Sequence, residues 1–276
     1  MDKESKLTSL VAAAELIQDG QLITIGGTLS QRIPAAFVRQ LARRGVKDLH
    51  LVKSSPGFDL DLLSMAGCLK SVHFGIASLE QPIGMSPGFR MHAQSGALKI
   101  IEASCPGVMA GFQAAAFGLP FMPVAGIQED SDVVRQGPFA LVTDPFTGEK
   151  VYVTPAIKPQ WAIVHVHEAD IYGNARIYGS PVWDRLMSRA ANSTIVTAER
   201  ILPTSHFQAQ PELTTISELF VSAVVHAPKG ALPTSVYPDY PLDEVEMRNY
   251  LELCSSPSGL QRYLDGTAFN DHGGEQ

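Results

Sequence analysis

The chain has 276 residues, 45% hydrophobic and 18% charged, and carries a formal net charge of −7. That composition is ordinary for a globular protein with length for one large domain or two small ones, and the scarcity of clustered Lys and Arg argues against a nucleic-acid surface. Three widely spaced cysteines, Cys68, Cys105 and Cys254, speak against a disulfide framework or a cysteine zinc site and suit a reducing, cytoplasmic setting.

Taken in order, the chain opens with a charged stretch, MDKESK, that leads into an amphipathic helix rather than a signal peptide. Thr8 or Ser9 caps that helix, Leu10, Ala13, Ala14 and Ile17 give its apolar stripe, and Gly20 closes it. No run of about 18 apolar residues follows anywhere, so no membrane span is expected. The stretch Leu22–Gly45 reads as strand, glycine turn, polar loop and helix. Leu22, Ile23 and Ile25 suit a strand buried on both faces. Gly26–Gly27 ends it, and Pro34 suits the first turn of a helix. That helix is expected to bury Phe37, Val38 and Leu41, to turn Arg39, Arg43 and Arg44 to water, and to stop at Gly45. A bare backbone beside a helix N-terminus seats an anion or a developing oxyanion. Neither a dinucleotide fingerprint nor a phosphate loop is present.

Further strands are predicted at Asp48–Val52, Ser71–Gly75 and Leu98–Ile101, the last expected to be buried and to end in Glu102-Ala103-Ser104. Helices are predicted near Asp59–Ala66, Gly88–Ser95 and Val108–Phe117. Phe121–Val124, with Pro123, reads as an edge segment. Gln128–Lys150, carrying Glu129, Asp130 and Asp132, reads as a long irregular excursion. Strand patterning resumes at Val151–Val153, Trp161–Val166, Ser193–Val196 and Val221–Val225, with helices at Trp183–Ala191 and Leu242–Leu251. We read residues 1–254 as a single α/β domain and 255–276 as a polar C-terminal tail, frayed at its end. Buried strands alternating with helices imply an α/β fold with a mainly parallel open sheet flanked by helices. Ligands in such sheets sit outside the carboxyl ends of the strands. Four ends are candidates: Gly26–Gln31, Ser54–Phe58, Glu102–Ser104 and Glu168–Asn174.

Several motifs invite chemistry. His165 and His167 lie two apart on a strand and face one side, with Glu168 and Asp170 close by, which suggests a metal. No His-Glu-x-x-His, second His-x-His or cysteine cluster completes a shell, so no metal is assigned. Gly84-Met85-Ser86-Pro87-Gly88 has the spacing of a nucleophile elbow. It lacks a preceding strand, since Glu80-Gln81-Pro82 stands there, and Pro87 has no N–H to donate to an oxyanion. Glu102 closes an apolar run, where partial desolvation would raise its pKa toward acid/base use; the alternative is a solvated or arginine-paired carboxylate.

Five stretches together resemble the α (A) subunits of family I CoA-transferases, glutaconate CoA-transferase type. They are ITIGGTLSQRIPAAFVRQL, Glu102-Ala103-Ser104, AAAFGLPFMPV (Ala114–Val124), Val151–Tyr178 with WAIVHVHEADIYGNARIYG, and APKGALPTSVYPDY (Ala227–Tyr240). They occur in the family's order and span about residues 10–250. Ala103 and Leu232 depart from its usual aromatic and His. The resemblance implies the fold of the NagB/RpiA/CoA-transferase superfamily and a heteromer with a β (B) chain, the site lying between the two. It implies coenzyme A as substrate, with no permanently bound cofactor. The nucleophilic glutamate of such enzymes is a β-chain residue followed by Asn or Gly, and no Glu here is followed by either. In a transferase of this kind, Gly26 and Gly27 would hold backbone N–H groups near the reacting carbonyl and Arg32 would bind a substrate or CoA anion, unless it forms a structural ion pair. Ser54 and Ser55 would line the site, or simply form a turn, and Glu102 would face it. The related steroid ring-opening hydrolases have a similar A chain, and there Glu102 would act as general base in C–C cleavage of a cyclic diketone CoA ester. A non-catalytic scaffold that binds CoA esters is the reading from another class.

Overall fold

Alternating apolar runs and amphipathic segments fold into a layered α/β structure, seen in a computed structural model that describes residues 3–80, 83–127, 131–254 and 256–266. Expectations that fall on Met1, Asp2, Gln81, Pro82, Gln128, Glu129, Asp130, Ser255 and 267–276 lie outside these residues. The first half runs β1 (Leu7–Thr8), α1 (Leu10–Glu15), β2 (Leu22–Ile25), α2 (Ala35–Arg44), β3 (Leu49–Val52), α3 (Phe58–Met65), β4 (Leu69–Phe74), α4 (Pro87–Gln94), β5 (Lys99–Glu102) and α5 (Cys105–Ala116). A smaller unit follows: β6 (Phe121–Pro123), α6 (Asp132–Gln136), β7 (Ala140–Thr143) and β8 (Lys150–Pro155). The rest comprises β9 (Trp161–Ala169), β10 (Ala175–Arg176), α7 (Asp184–Ala190), β11 (Ser193–Ile201), α8 (Thr204–Ala209), β12 (Val221–His226), α9 (Glu244–Leu253) and α10 (Pro257–Gly266). No helix among the described residues is long and apolar enough to cross a membrane.

The main sheet has the order β1-β12-β11-β9-β2-β3-β4-β5, with β10 paired antiparallel to β9. Every other neighbour in it is parallel. From β2 the chain steps outward through β3, β4 and β5; it then returns to the other side of β2 with β9 and steps away through β11 and β12. The strand order therefore reverses between β2 and β9, which opens a crevice at their carboxyl ends. Alternation along the strands divides the core. Ile23, Ile25, Leu51 and Val72 join α1, α2, α3, α9 and α10 in one cluster, while Val52 packs with Val108, Phe112, Ile157 and Met187 on the opposite face.

The structure departs from the sequence reading at four places. The excursion 128–150 contains α6 and a strand of a second, three-stranded antiparallel sheet, in the order β6-β8-β7. β5 is an edge strand with Lys99 and Glu102 exposed and Ile100 and Ile101 only half-buried. Arg39 is wholly buried and donates to the Leu232 carbonyl at 2.7 Å. Arg43 and Arg44 are exposed, as expected, and still reach the Leu264 carbonyl at 2.7 Å and the Ile17 carbonyl at 3.0 Å. Finally, residues 257–266 form α10 rather than loose tail, and bury Leu260, Tyr263 and Leu264 in the main cluster. Tyr263 meets Tyr250 edge-on at 5.0 Å between ring centroids.

Candidate active site

The site is built where three loops converge past the carboxyl ends of β2, β3 and β4–β5. Gly26 continues the sheet, its N–H donating to the Ile163 carbonyl at 2.7 Å. Gly27 has φ +69, and a Cβ there would overlap the Gln31 carbonyl, so only glycine fits. Thr28 and Gln31 then exchange backbone hydrogen bonds of 2.9 and 2.7 Å, which makes Leu29–Ser30 the tip of a tight hairpin. Leu29 donates to the Ser55 carbonyl at 3.0 Å, and its own carbonyl occupies the space a Cβ on Gly57 would need. The glycine loop thus lies across Ser54–Gly57. The Ser54 carbonyl in turn accepts from Gly75 at 3.0 Å and Ile76 at 3.1 Å. Ala103 donates to the Phe74 carbonyl at 3.0 Å, and Ser104 caps α5 through the Gly107 N–H. Three of the four predicted strand ends therefore form one continuous surface.

The expected residues occupy it differently from one another. Ser54 is buried beside Ser55, their hydroxyls 3.4 Å apart, and Cys105 Sγ lies 3.9 Å from Ser55 Oγ. Glu102 pairs in register with Phe74, and its carboxylate is exposed, with no partner among the described residues. The desolvation expected of it is absent in this chain because β5 is an edge strand. Gly26 and Gly27 do not offer free N–H groups. The first is part of the sheet, and the second donates to Asp184 Oδ1 at 2.9 Å. Within Gly26–Arg32 the backbone N–H without an acceptor among the described residues is that of Ser30, itself only 5% exposed; a buried donor without an acceptor is an opening for a ligand oxygen. Arg32 is buried and ion-paired with Asp184, and it also donates to the carbonyls of His165 at 3.1 Å and Ser180 at 3.2 Å. Its charge is already matched within the chain, so the structural ion pair prevails over the role of open anion receptor.

Two buried ion pairs flank the loop, and sequence reasoning missed both acids and the lysine. Lys53 Nζ, 2.8 Å from Asp59 Oδ2, donates to the Gly26 carbonyl at 3.0 Å. Burial pushes the lysine below its usual pKa, and the Asp59 carboxylate opposes that shift. A lysine closing an apolar strand, six residues before an aspartate, is the one signal that was available. Asp184 carried none, lying between Trp183 and Arg185 like any helix-start acid.

The histidine motif is absorbed by structure. His165 is buried, with Nδ1 2.8 Å from Thr197 Oγ1 and Nε2 2.7 Å from Glu199 Oε1. Burial alone would raise the Glu199 pKa; hydrogen bonds from His165, Tyr240 and the Lys229 N–H outweigh it and hold the carboxyl below its usual range. His167 Nε2 meets the Tyr237 carbonyl at 2.7 Å. Asp170 accepts the N–H groups of Tyr172, Gly173 and Asn174 and so closes the predicted turn. Among the described residues no group of His, Cys, Asp and Glu is placed to hold a metal. Ser86 of the apparent elbow is fully buried at the start of α4. At the switch between β2 and β9 lies a cavity of about 610 Å³, lined by Ser30, Arg32, Tyr178, Ser180, Tyr237 and Tyr240 among others. A second, of about 510 Å³, lies against the sheet beside His50 and His73. The His73 Nε2 is buried without a partner among the described residues, and burial pushes its pKa down to about 4.

A family model described as coenzyme A transferase matches residues 7–227 of this chain. The chain belongs to the coenzyme A transferase family. It is 35% identical over 275 residues to the cholesterol ring-cleaving hydrolase IpdA subunit of Mycobacterium tuberculosis, a match covering 95% of this chain and 94% of that one. The crystal structure of glutaconate coenzyme A-transferase from Acidaminococcus fermentans matches with a TM-score of 0.89 at 29% identity, over 96% of this chain and 89% of that chain. The crystal structure of a variant of the decarboxylase AibA/AibB matches with a TM-score of 0.85 at 30% identity, over 95% of this chain and 98% of that chain. The chain spans 57% of the length of an uncharacterised Archaeoglobus fulgidus protein to which it is 35% identical. The resemblance carried by the five sequence motifs thus holds for a coenzyme A transferase family chain with the expected parallel sheet.

Proposed function

We infer that this chain is the α subunit of a heteromeric CoA-transferase, moving CoA between a carboxylic or dicarboxylic acyl-CoA and a carboxylate acceptor. The observation that carries this reading is the asymmetry of the site. A finished glycine loop lies across Ser54–Gly57, and Glu102 ends the edge strand β5 exposed, with no partner among the described residues, while each acid that touches the glycine or Ser54–Gly57 backbone is bound in an ion pair. Such a half-site calls for a partner chain, here a β chain of the same family, that covers Glu102 and brings the nucleophile. A glutamate carboxylate of the partner attacks the acyl-CoA carbonyl and expels CoA thiolate, which leaves a mixed anhydride. The thiolate then attacks the glutamyl carbonyl, releasing the first acid and forming a glutamyl-CoA thioester. The acceptor carboxylate runs the steps in reverse. Splitting the exchange into covalent stages conserves the thioester's free energy, provided water is kept out. The Ser30 N–H, the open donor of the loop, is placed by this reading near the developing oxyanion.

The hydrolase is the second reading, favoured by the 35% identity to the ring-cleaving hydrolase subunit. There Glu102 moves the proton of an attacking water. One experiment separates the two. The chain is purified in complex with its β-type partner, treated with acyl-CoA and then borohydride, and both chains are weighed. A CoA-dependent mass loss on the partner, from a glutamate reduced to an alcohol, establishes the transferase. Acyl-CoA consumption with both masses unchanged establishes the hydrolase. A complex that binds acyl-CoA without turnover overturns both in favour of a scaffold.

A further inference from the structure

The Gly26–Gly27 peptide is held from both sides by buried charges of opposite sign. Lys53 Nζ donates to its carbonyl at 3.0 Å, and Asp184 Oδ1 accepts from its N–H at 2.9 Å. The two contacts lie on opposite edges of one peptide plane, since C=O and N–H point apart in a trans peptide. Lys53 arrives from β3 and Asp184 from the start of α7, on either side of β2. Each has its own counter-ion, Asp59 and Arg32. The remaining hydrogen-bonding capacity of the four goes to the backbone of the converging loops: Gly57 N–H to Asp59 at 2.8 Å, and Arg32 to the His165 and Ser180 carbonyls. A methyl at Gly26 would stand 3.1 Å from the Asp184 carboxyl, so the glycine lets the acid come this close.

Burying four charges is a poor route to stability, because desolvation offsets most of the attraction and apolar side chains of similar size often do as well. What an apolar set could not do is grip a peptide by both of its polar edges. We propose that Lys53 and Asp184 are positioning residues: by fixing the Gly26–Gly27 plane they set where the Leu29–Ser30 tip, with its open N–H, stands in the site. Their effect on turnover rests on the CoA-transferase or hydrolase reading above; the gripping of the peptide does not.

The test has two arms. In the first, the full chain is labelled with 15N-glycine and the exchange of the Gly27 amide is followed by NMR. Wild type is expected to protect it about a hundredfold or more over an open loop, as a buried hydrogen bond does. Exchange at the open-loop rate overturns the proposal without any variant. In the second arm, Arg32→Met/Asp184→Leu removes both charges; Lys53→Met/Asp59→Leu does the same on the other side. Gly27 protection is expected to fall in the Arg32/Asp184 variant, which removes its acceptor, and each variant is expected in the complex to lose at least about tenfold in kcat with KM within about twofold. A double variant that folds and keeps its kcat would mean that the charges do not set the tip in place for turnover, and the proposal falls. Should the wild-type complex turn over no acyl-CoA at all, the functional reading fails, while the Gly27 exchange still decides whether the grip exists.

Discussion

The glycine-loop side of the site and its Glu102 side are built on opposite terms. On the first, two buried ion pairs hold the loop, Arg32 with Asp184 and Lys53 with Asp59, both within one chain. On the second, a carboxylate ends an edge strand in solvent with no partner among the described residues. The first is finished before anything binds; the second acquires its chemistry from what covers it. The difference teaches where a single substitution should be read: on the first side it strands a buried charge and shows in unfolding as well as in turnover, on the second in turnover alone.

Four measurements would break or sharpen that contrast. The largest effect is expected from Asp184→Leu alone, which strands a buried guanidinium and costs about 3–5 kcal/mol in urea unfolding. Arg32→Met added to it should restore most of the loss, and no recovery would show that the two do not act as a pair. Next comes Gly27→Ala, which meets the Gln31 carbonyl at a positive φ and should cost about 3 kcal/mol by the same measurement. His73, half-buried with its Nε2 enclosed, offers a pH test. Its imidazole is neutral in the fold down to about pH 4 but takes a proton near 6.5 when unfolded. The stability it contributes is therefore present above pH 6.5 and is lost as the pH falls toward 4, by up to about 3 kcal/mol. His73→Gln should flatten that limb of the stability curve. Smallest in stability is Glu102→Gln, within about 0.5 kcal/mol because the side chain is exposed. In the complex the same variant should lose about 10²–10⁴-fold in turnover if Glu102 moves a proton, and far less if the partner's glutamate does the work.

The sheet was legible in the sequence because its strands are short apolar runs ending in glycine or polar turns. Ile23–Ile25 followed by Gly26–Gly27, and Ile163–Val166, need no tertiary knowledge to be recognised as buried parallel strands. β5 was misjudged because an apolar run does not state how many neighbours it has. Arg39 was misjudged because helical periodicity assigns arginine to water, whereas its side chain is wholly buried and finds the Leu232 carbonyl. In the site, Gly27 and Ser54 were visible as turn chemistry. The grip on the loop was not, since Lys53 and Asp184 stand 131 positions apart and meet through a single peptide plane. A charge acquires its meaning from the backbone group it faces, and linear sequence does not record that.

The place of β2 between β3 and β9 also governs how the chain is made. β3 follows at once, but β9 begins at Trp161. At about 5–20 residues per second, the growing polypeptide carries one open edge of β2 for roughly 7–30 s before its second neighbour leaves the ribosome. The packing of α2 waits longer still, until Leu264 arrives to meet Arg43. The centre of the sheet is thus among the first parts synthesised and among the last enclosed, and slowing translation between 26 and 161 would lengthen the interval in which that edge is open to other strands.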